Sequence, residues 1–313
     1  MHQPGFAADI LREPDALDAL LDHYGAPGAL DGVNLTDARR VVLLGMGSSQ
    51  FAAQTAAALL RGRGIDAHVE LASAAQPLPP SADTLAVGIS ASGSSAETVE
   101  ALARHDGRSR TIALTNNPDG AITSHADTVL PLLAGDEDGG IACRSFQATV
   151  ALLHLLADIP TDRLRPAVAA ARQLIDTRDT WLGDLLEIVG DGPVYTIAPY
   201  ERISSALQSA LMFREAPRIA ADGCETGDWL HVDLYLTKHP GYRALLFTGS
   251  RYDPEVMTWA RERECAIVAV GRTIEGAALH IAAPDDPLVA VLIETMVAEL
   301  AACELWRRRL EVT

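Results

Sequence analysis

Lysine is almost missing from this 313-residue sequence: Lys238 is the single one, and every other fixed cation is an arginine. Schiff-base chemistry through a lysine would therefore have to use Lys238. Aromatic residues make up only 5% of the chain. Positive charge is scarce, with 25 Lys and Arg against 42 Asp and Glu, a net −17 that makes nucleic acid and anionic membrane surfaces poor partners. The one basic run, Arg307-Arg308-Arg309, suits the end of a last helix, where cations complement the dipole. Four cysteines, Cys143, Cys224, Cys265 and Cys303, lie far apart with no Cys-x-x-Cys pair. That argues against a zinc ribbon or a thioredoxin-type site and fits scattered thiols in a cytoplasmic protein. The histidines show no metal-ligand spacing, so neither a metal nor a cofactor is expected. No apolar run reaches the ~18 residues of a membrane span. The opening MHQPGFAADILREPDALDALL lacks the basic and apolar regions of a signal peptide.

What is present is an apolar fraction of 48% and enough chain for about two domains. Apolar runs at Val41–Leu44, Thr84–Ile89, Thr111–Leu114 and Thr128–Leu133 alternate with helical patterns at Gln50–Arg63, Ala96–His105 and Ser145–Ala157. The second half repeats this scheme. Its strand runs are Val194–Ala198, Ala244–Thr248, Ala266–Val270 and Leu279–Ala282, with helical patterns at Ser204–Arg214, Pro254–Arg263 and Leu288–Arg309. Short apolar strands alternating with helices predict βαβ units around buried parallel sheets. Two such quartets read as an internal duplication. The expected order is a helical arm over 1–30, a first α/β subdomain over 31–160, linking helices over 161–190 and a second subdomain over 191–313.

Two loops carry chemistry. Gly45-Met46-Gly47-Ser48-Ser49 joins the first strand to a helix, where glycine allows close backbone approach and free N–H groups favour an anion. The loop also resembles a dinucleotide fingerprint with Glu70 as the ribose acid, but Gln50 stands in place of the third glycine. Ile89-Ser90-Ala91-Ser92-Gly93-Ser94-Ser95-Ala96-Glu97-Thr98 packs four serines between a strand and a helix start, a second phosphate grip unless it is an ordinary capped turn.

These two loops, with Thr115-Asn116 and Ala134-Gly135-Asp136-Glu137, resemble the sugar isomerase (SIS) domain. The chain as a whole resembles the double-SIS isomerase domain of glucosamine-6-phosphate synthase, including the opening Ile10-Leu11-Arg12-Glu13-Pro14. The resemblance implies two flavodoxin-like, doubly wound parallel-sheet subdomains in a homodimer that shares its active sites and binds a small phosphosugar. It places phosphate binding at Gly47, Ser48, Ser49, Ser90, Ser92 and Ser95, and Met46, Ala91, Glu137, Gly140 and Arg144 near the sugar. It makes Glu215 in Leu211-Met212-Phe213-Arg214-Glu215 the catalytic carboxylate. The ring-opening histidine, 16 positions later, is His231, which in the family reaches a neighbouring subunit's site.

Those residue types suit aldose–ketose interconversion. A carboxylate beside C1 and C2 takes and returns a proton if burial raises its pKa, and a histidine shuttles the ring-opening proton. Three departures stand out. The tail Trp306–Thr313 has no lysine where the family often has one, Met212 replaces another, and Pro199-Tyr200-Glu201 replaces the second-half glycine turn. One site per subunit follows, and the lost lysines count against Schiff-base chemistry. No glutamine-hydrolysing domain is expected, since residues 1–30 read as an arm. Three functions stay open: a phosphosugar isomerase using Glu215, a C–N-cleaving deaminase or fructosamine-phosphate deglycase on the same scaffold, and a phosphosugar sensor without turnover.

Overall fold

The computed structural model describes residues 2–312; Met1 and Thr313, the outer ends of the expected arm and second subdomain, lie outside the described residues. The chain gathers into two compact units. One comprises Asp15–Asp136 and Arg144–Leu164; the other comprises the residues up to Pro14, Glu137–Cys143 and the residues from Arg165 onward.

The first unit holds strands β1 (Arg40–Gly45), β2 (Asp66–Leu71), β3 (Thr84–Ile89), β4 (Arg110–Thr115) and β5 (Thr128–Pro131). All pair in parallel, in the order β2-β1-β3-β4-β5, the flavodoxin-like arrangement. β3 is buried along its whole length, as a central strand covered on both faces must be. Helices Ser48–Gly62, Ala96–Ala103 and Arg144–Leu156 belong to this unit, and all 13 residues of the last are buried. An all-round buried helix is a core element rather than an amphipathic cover.

The second unit holds β6 (Val194–Ala198), β7 (Ala221–Glu225), β8 (Arg243–Phe247), β9 (Ala266–Gly271) and β10 (Leu279–Ala282). Its parallel order, β10-β9-β8-β6-β7, is the first sheet's order read from the other end, so the duplication in sequence is a duplication in topology. Buried Ile197, Leu246, Val256 and Met257 cluster with Trp229, whose indole N–H donates to Tyr242 Oη at 2.8 Å. That bond lets a large aromatic pack without a stranded donor. The N-terminal helix Gln3–Leu11 and the C-terminal helix Thr295–Val312 pack together here. The expected arm is helical, as Gln3–Leu11 and Glu13–Gly25.

Two features depart from the sequence pattern. β7 was not foreseen, because Ala-Asp-Gly-Cys-Glu has no apolar run. It is an edge strand, and a Cβ on its Gly223 would stand 2.8 Å from the Ala206 backbone, so glycine permits its contact with helix Ile203–Glu215. The helix expected over 288–309 is broken into Pro287–Ala290 and Thr295–Val312 by tight turns such as Leu292 N–H to Val289 O. Glu294 occupies that break, fully buried, with its carboxylate taken by Arg202 and Ser205.

Candidate active site

In the first unit β1 and β3 are neighbours, and the chain leaves them in opposite directions, to β2 and to β4. This is the topological switch point, where open α/β sheets leave a crevice beyond the carboxyl ends of their strands. Both expected phosphate loops emerge there. Gly47 caps helix Ser48–Gly62 at φ +51, a left-handed conformation that favours glycine, and no side chain caps the helix. The Ser49 N–H is taken by Met46 O at 3.2 Å, and half-exposed Ser48 and Ser49 stand at the helix start with half-buried Met46 before them.

The serine loop is built more tightly. Ser90 is buried, and its N–H donates to Leu114 O. Ala91 is fixed through its carbonyl, which accepts the Asn116 N–H at 3.0 Å. Exposed Ser92 accepts a hydrogen bond from Ser94 Oγ at 3.1 Å. Ser95 caps helix Ala96–Ala103 in position only, because its hydroxyl donates to Glu97 and accepts from Thr98. Gly93 sits at φ +68, with Gly120 pressed against it: a Cβ on Gly120 would stand 2.6 Å from Gly93 Cα. Asn116 braces the neighbouring turn, donating to Gly135 O at 2.6 Å and accepting from the Ala134 N–H at 2.9 Å. Arg144 is buried and donates to Asp136 O, so it supports this same turn.

In the second unit, Glu215 closes helix Ile203–Glu215. The Ala216 N–H reaches Met212 O, the Ile219 N–H reaches Phe213 O, and Arg218 makes the turn at φ +60. Partial burial pushes the Glu215 carboxyl above its ordinary pKa; nearby Arg214 and Arg218 pull it back, and the charge of Glu137 adds to the rise. A carboxyl with raised proton affinity suits a general base that must also return its proton. Glu137 is held by its own loop, its Oε1 accepting the Cys143 N–H at 2.8 Å and its carbonyl accepting the Gly140 N–H, with Gly140 at φ +67. On the Glu215 helix, buried Gln208 donates to Ala142 O of that loop at 2.8 Å, and Met212 is fully buried.

His231 lies elsewhere on the same sheet. Helix Ile203–Glu215 carries the chain from the carboxyl end of β6 to the amino end of β7, so Glu215 is at the amino edge. His231 follows the carboxyl end of β7, after the short helix Thr226–Trp229, and is exposed. The five residues of β7 span about 16 Å between those edges. Within one chain, the two expected catalytic residues are not brought together. Exposed Val232 and Tyr235 stand close to His231 in sequence, at 55% and 63% exposure.

Residues 34–159 match the SIS domain family. The glutamine–fructose-6-phosphate aminotransferase [isomerizing] of Aeropyrum pernix is 29% identical over 269 residues, covering 80% of this chain and 42% of that protein. The chain thus spans less than half the length of this relative. Its fold is that of the C-terminal domain of glucosamine-fructose-6-phosphate aminotransferase from Francisella tularensis, with a TM-score of 0.84, 17% identity and coverage of 97% and 95% of the two chains. Glucosamine-6-phosphate deaminase from Thermotoga maritima shares it too, at a TM-score of 0.75, 19% identity and coverage of 96% and 95%. Among the described residues no helix is long and apolar enough to cross a membrane. The chain thus carries an SIS-domain match over residues 34–159 and is homologous over most of its length to part of the isomerizing glutamine–fructose-6-phosphate aminotransferases.

Proposed function

We propose that the protein is an enzyme that binds a phosphorylated aldose, ketose or amino sugar and moves a proton between C1 and C2 with Glu215. The observation that carries this reading is the pair of glycine- and serine-rich loops meeting at the switch point of the first sheet. Gly47, Ser48, Ser49, Ser90, Ser92 and Ser95 would hold the phosphate through main-chain N–H groups and hydroxyls. Such local donors matter in a chain of net charge −17, whose overall field repels an anion.

Glu215 takes the role of base and acid, and Glu137 sustains its proton affinity. His231 opens the sugar ring, and the separation of Glu215 and His231 across β7 supports its serving the site of a second copy. The functional unit is then a homodimer, with exposed Val232 and Tyr235 available to the contact. Buried Met212 leaves no amine beside Glu215 on that helix face, so the proton transfer proceeds without a Schiff base. Four unbonded cysteines suit a cytoplasmic setting.

C–N cleavage would use the same proton transfer, so product analysis separates the two chemistries. Calorimetric titration tests the binding step first. Fructose-6-phosphate or glucosamine-6-phosphate is expected to bind where the free sugars do not, and Ser92→Ala is expected to weaken binding. Equal binding of phosphorylated and free sugars would contradict the reading.

A further inference from the structure

The second unit contains a cleft that the proposed chemistry does not use. Its volume is about 530 Å³, within the span of roughly 300–1,000 Å³ common to small-molecule sites. One wall is a stripe of helix Pro166–Asp176: Ala170, Gln173 and Leu174, with Thr177 just past its end, at the i, i+3, i+4, i+7 spacing of one helix face. The other wall is β10, the end strand of the second sheet. Residues 279–283 all border the cleft. Successive side chains of a strand point to opposite faces, so a cleft lined by every one of them runs along the edge of the strand rather than over one face.

That edge is open. Among the described residues β10 pairs with β9 alone, in parallel. The Ala278 N–H donates to Ile267 O at 2.8 Å, and main-chain groups along a strand alternate in direction. Ala278, His280 and Ala282 therefore turn theirs to β9, and Leu279 and Ile281 turn theirs to the cleft. The strand, Leu-His-Ile-Ala, has none of the lysines or acids that commonly guard a sheet edge.

Trp181 lines the same cleft from the turn that follows the helix, and it is 6% exposed. Its indole N–H is buried without a hydrogen-bond partner. A buried tryptophan N–H is ordinarily satisfied, as that of Trp229 is by Tyr242 Oη. Other polar side chains on the walls are already engaged. Thr177 Oγ1 donates to Gln173 O at 2.9 Å, Thr180 Oγ1 to Thr177 O at 2.7 Å, and His280 Nε2 to Gly271 O at 2.7 Å. What the cleft offers a ligand is the Trp181 donor, the exposed Gln173 amide and the main-chain groups of Leu279 and Ile281. No aspartate, glutamate, lysine or arginine lines it.

We propose that this cleft binds an uncharged, amide-bearing small molecule whose carbonyl oxygen accepts the Trp181 N–H. The ligand is neutral because a charge there loses water and meets no counter-ion. It carries a carbonyl because an indole nitrogen donates and never accepts. An amide fits best, since its own N–H and C=O match the groups that Leu279 and Ile281 present along the edge. Leu174, Ile281 and Ile293 supply apolar contact to the rest of the molecule. The indole N–H is shielded from solvent as the cleft stands, so binding turns the ring toward the ligand. Every wall residue belongs to the second unit, and the site does not rest on the function proposed above.

NMR of the indole N–H groups in the full-length protein is the test, with Trp181→Phe assigning the signal among the four tryptophans. The probes are N-benzylacetamide and N-acetyl-leucine methylamide, each titrated to about 10 mM, the affinity range of fragments of that size. Both amides are expected to move the Trp181 signal saturably and to leave the Trp229 signal in place. Phenylacetate, a charged analogue of similar size, is expected to move neither. Ala170→Phe fills the cleft from a half-exposed position on the helix and should abolish the shift. Trp181→Phe keeps a ring but loses the donor, and ligand-observed NMR should show binding about fivefold weaker, the worth of one hydrogen bond. If that variant folds poorly, the wild-type titration and Ala170→Phe still decide. No shift with either amide, an equal shift with phenylacetate, or a shift that survives Ala170→Phe would overturn the proposal. So would a Trp181 signal that moves when the protein alone is diluted, because the edge of β10 is then a contact between copies.

Discussion

Glu215 and His231 stand at opposite edges of one sheet, with the whole of β7 between them. A reaction that needs both must draw them from different chains. In a twofold dimer a site lacking Glu215 and a site lacking His231 can be pooled. Glu215→Gln and His231→Ala, each inactive alone, are expected to recover about a quarter of wild-type activity when mixed after subunit exchange, because half of the dimers are mixed and each regains one intact site. No recovery, alongside proven exchange, would place both residues in one chain's site or remove His231 from the chemistry.

The proton affinity of Glu215 should be tunable by its neighbours. Burial raises it, Arg214 and Arg218 lower it, and Glu137 raises it further. A base must be ionised to act, so the acid limb of kcat/KM is expected above the ordinary carboxylate range. Arg218→Ala removes a stabilising cation and should move that limb to higher pH. Glu137→Gln removes a like charge and should move it to lower pH. A pH–rate series on the three proteins checks both signs.

The serine loop depends on the contact between Gly93 and Gly120. A Cβ on Gly93 would meet Gly120 Cα and Thr115 Oγ1, each at 2.9 Å, from a backbone at φ +68. Gly93→Ala is expected to cost about 2 kcal/mol or more in urea unfolding, since both strain and overlap oppose it. Because the shift falls between Ser92 and Ser95, phosphosugar affinity should drop with it.

Much of this was legible in the sequence. The alternation of strand and helix runs predicted both sheets, because buried parallel strands need uninterrupted apolar residues such as Leu85-Ala86-Val87. The two glycine- and serine-rich loops were legible as strand-to-helix turns because these residues favour tight turns and helix starts. β7 was hidden: an edge strand needs little apolar surface, and Asp222, Cys224 and Glu225 disguise it. The break at Glu294 lay inside a continuous helical pattern, and only the buried Arg202 at its carboxylate explains it.

That ion pair has its own consequence. Arg202 and Glu294 are 7% and 0% exposed, and Arg202 also donates to Thr248 O. Arg202→Met strands a buried carboxylate and is expected to cost roughly 3–5 kcal/mol, whereas replacing both partners by methionine should cost far less. Urea midpoints of the single and double variants give the comparison.

The central claim is proton transfer by Glu215 on a phosphorylated sugar. The most direct measurement is a proton NMR time course in deuterium oxide with fructose-6-phosphate, glucosamine-6-phosphate and a fructosamine-6-phosphate adduct. Deuterium is expected to enter C1 or C2 with the wild-type protein and not with Glu215→Gln, and released amine would select C–N cleavage. Saturable binding of these sugars without exchange at either carbon would contradict the claim and leave a phosphosugar sensor.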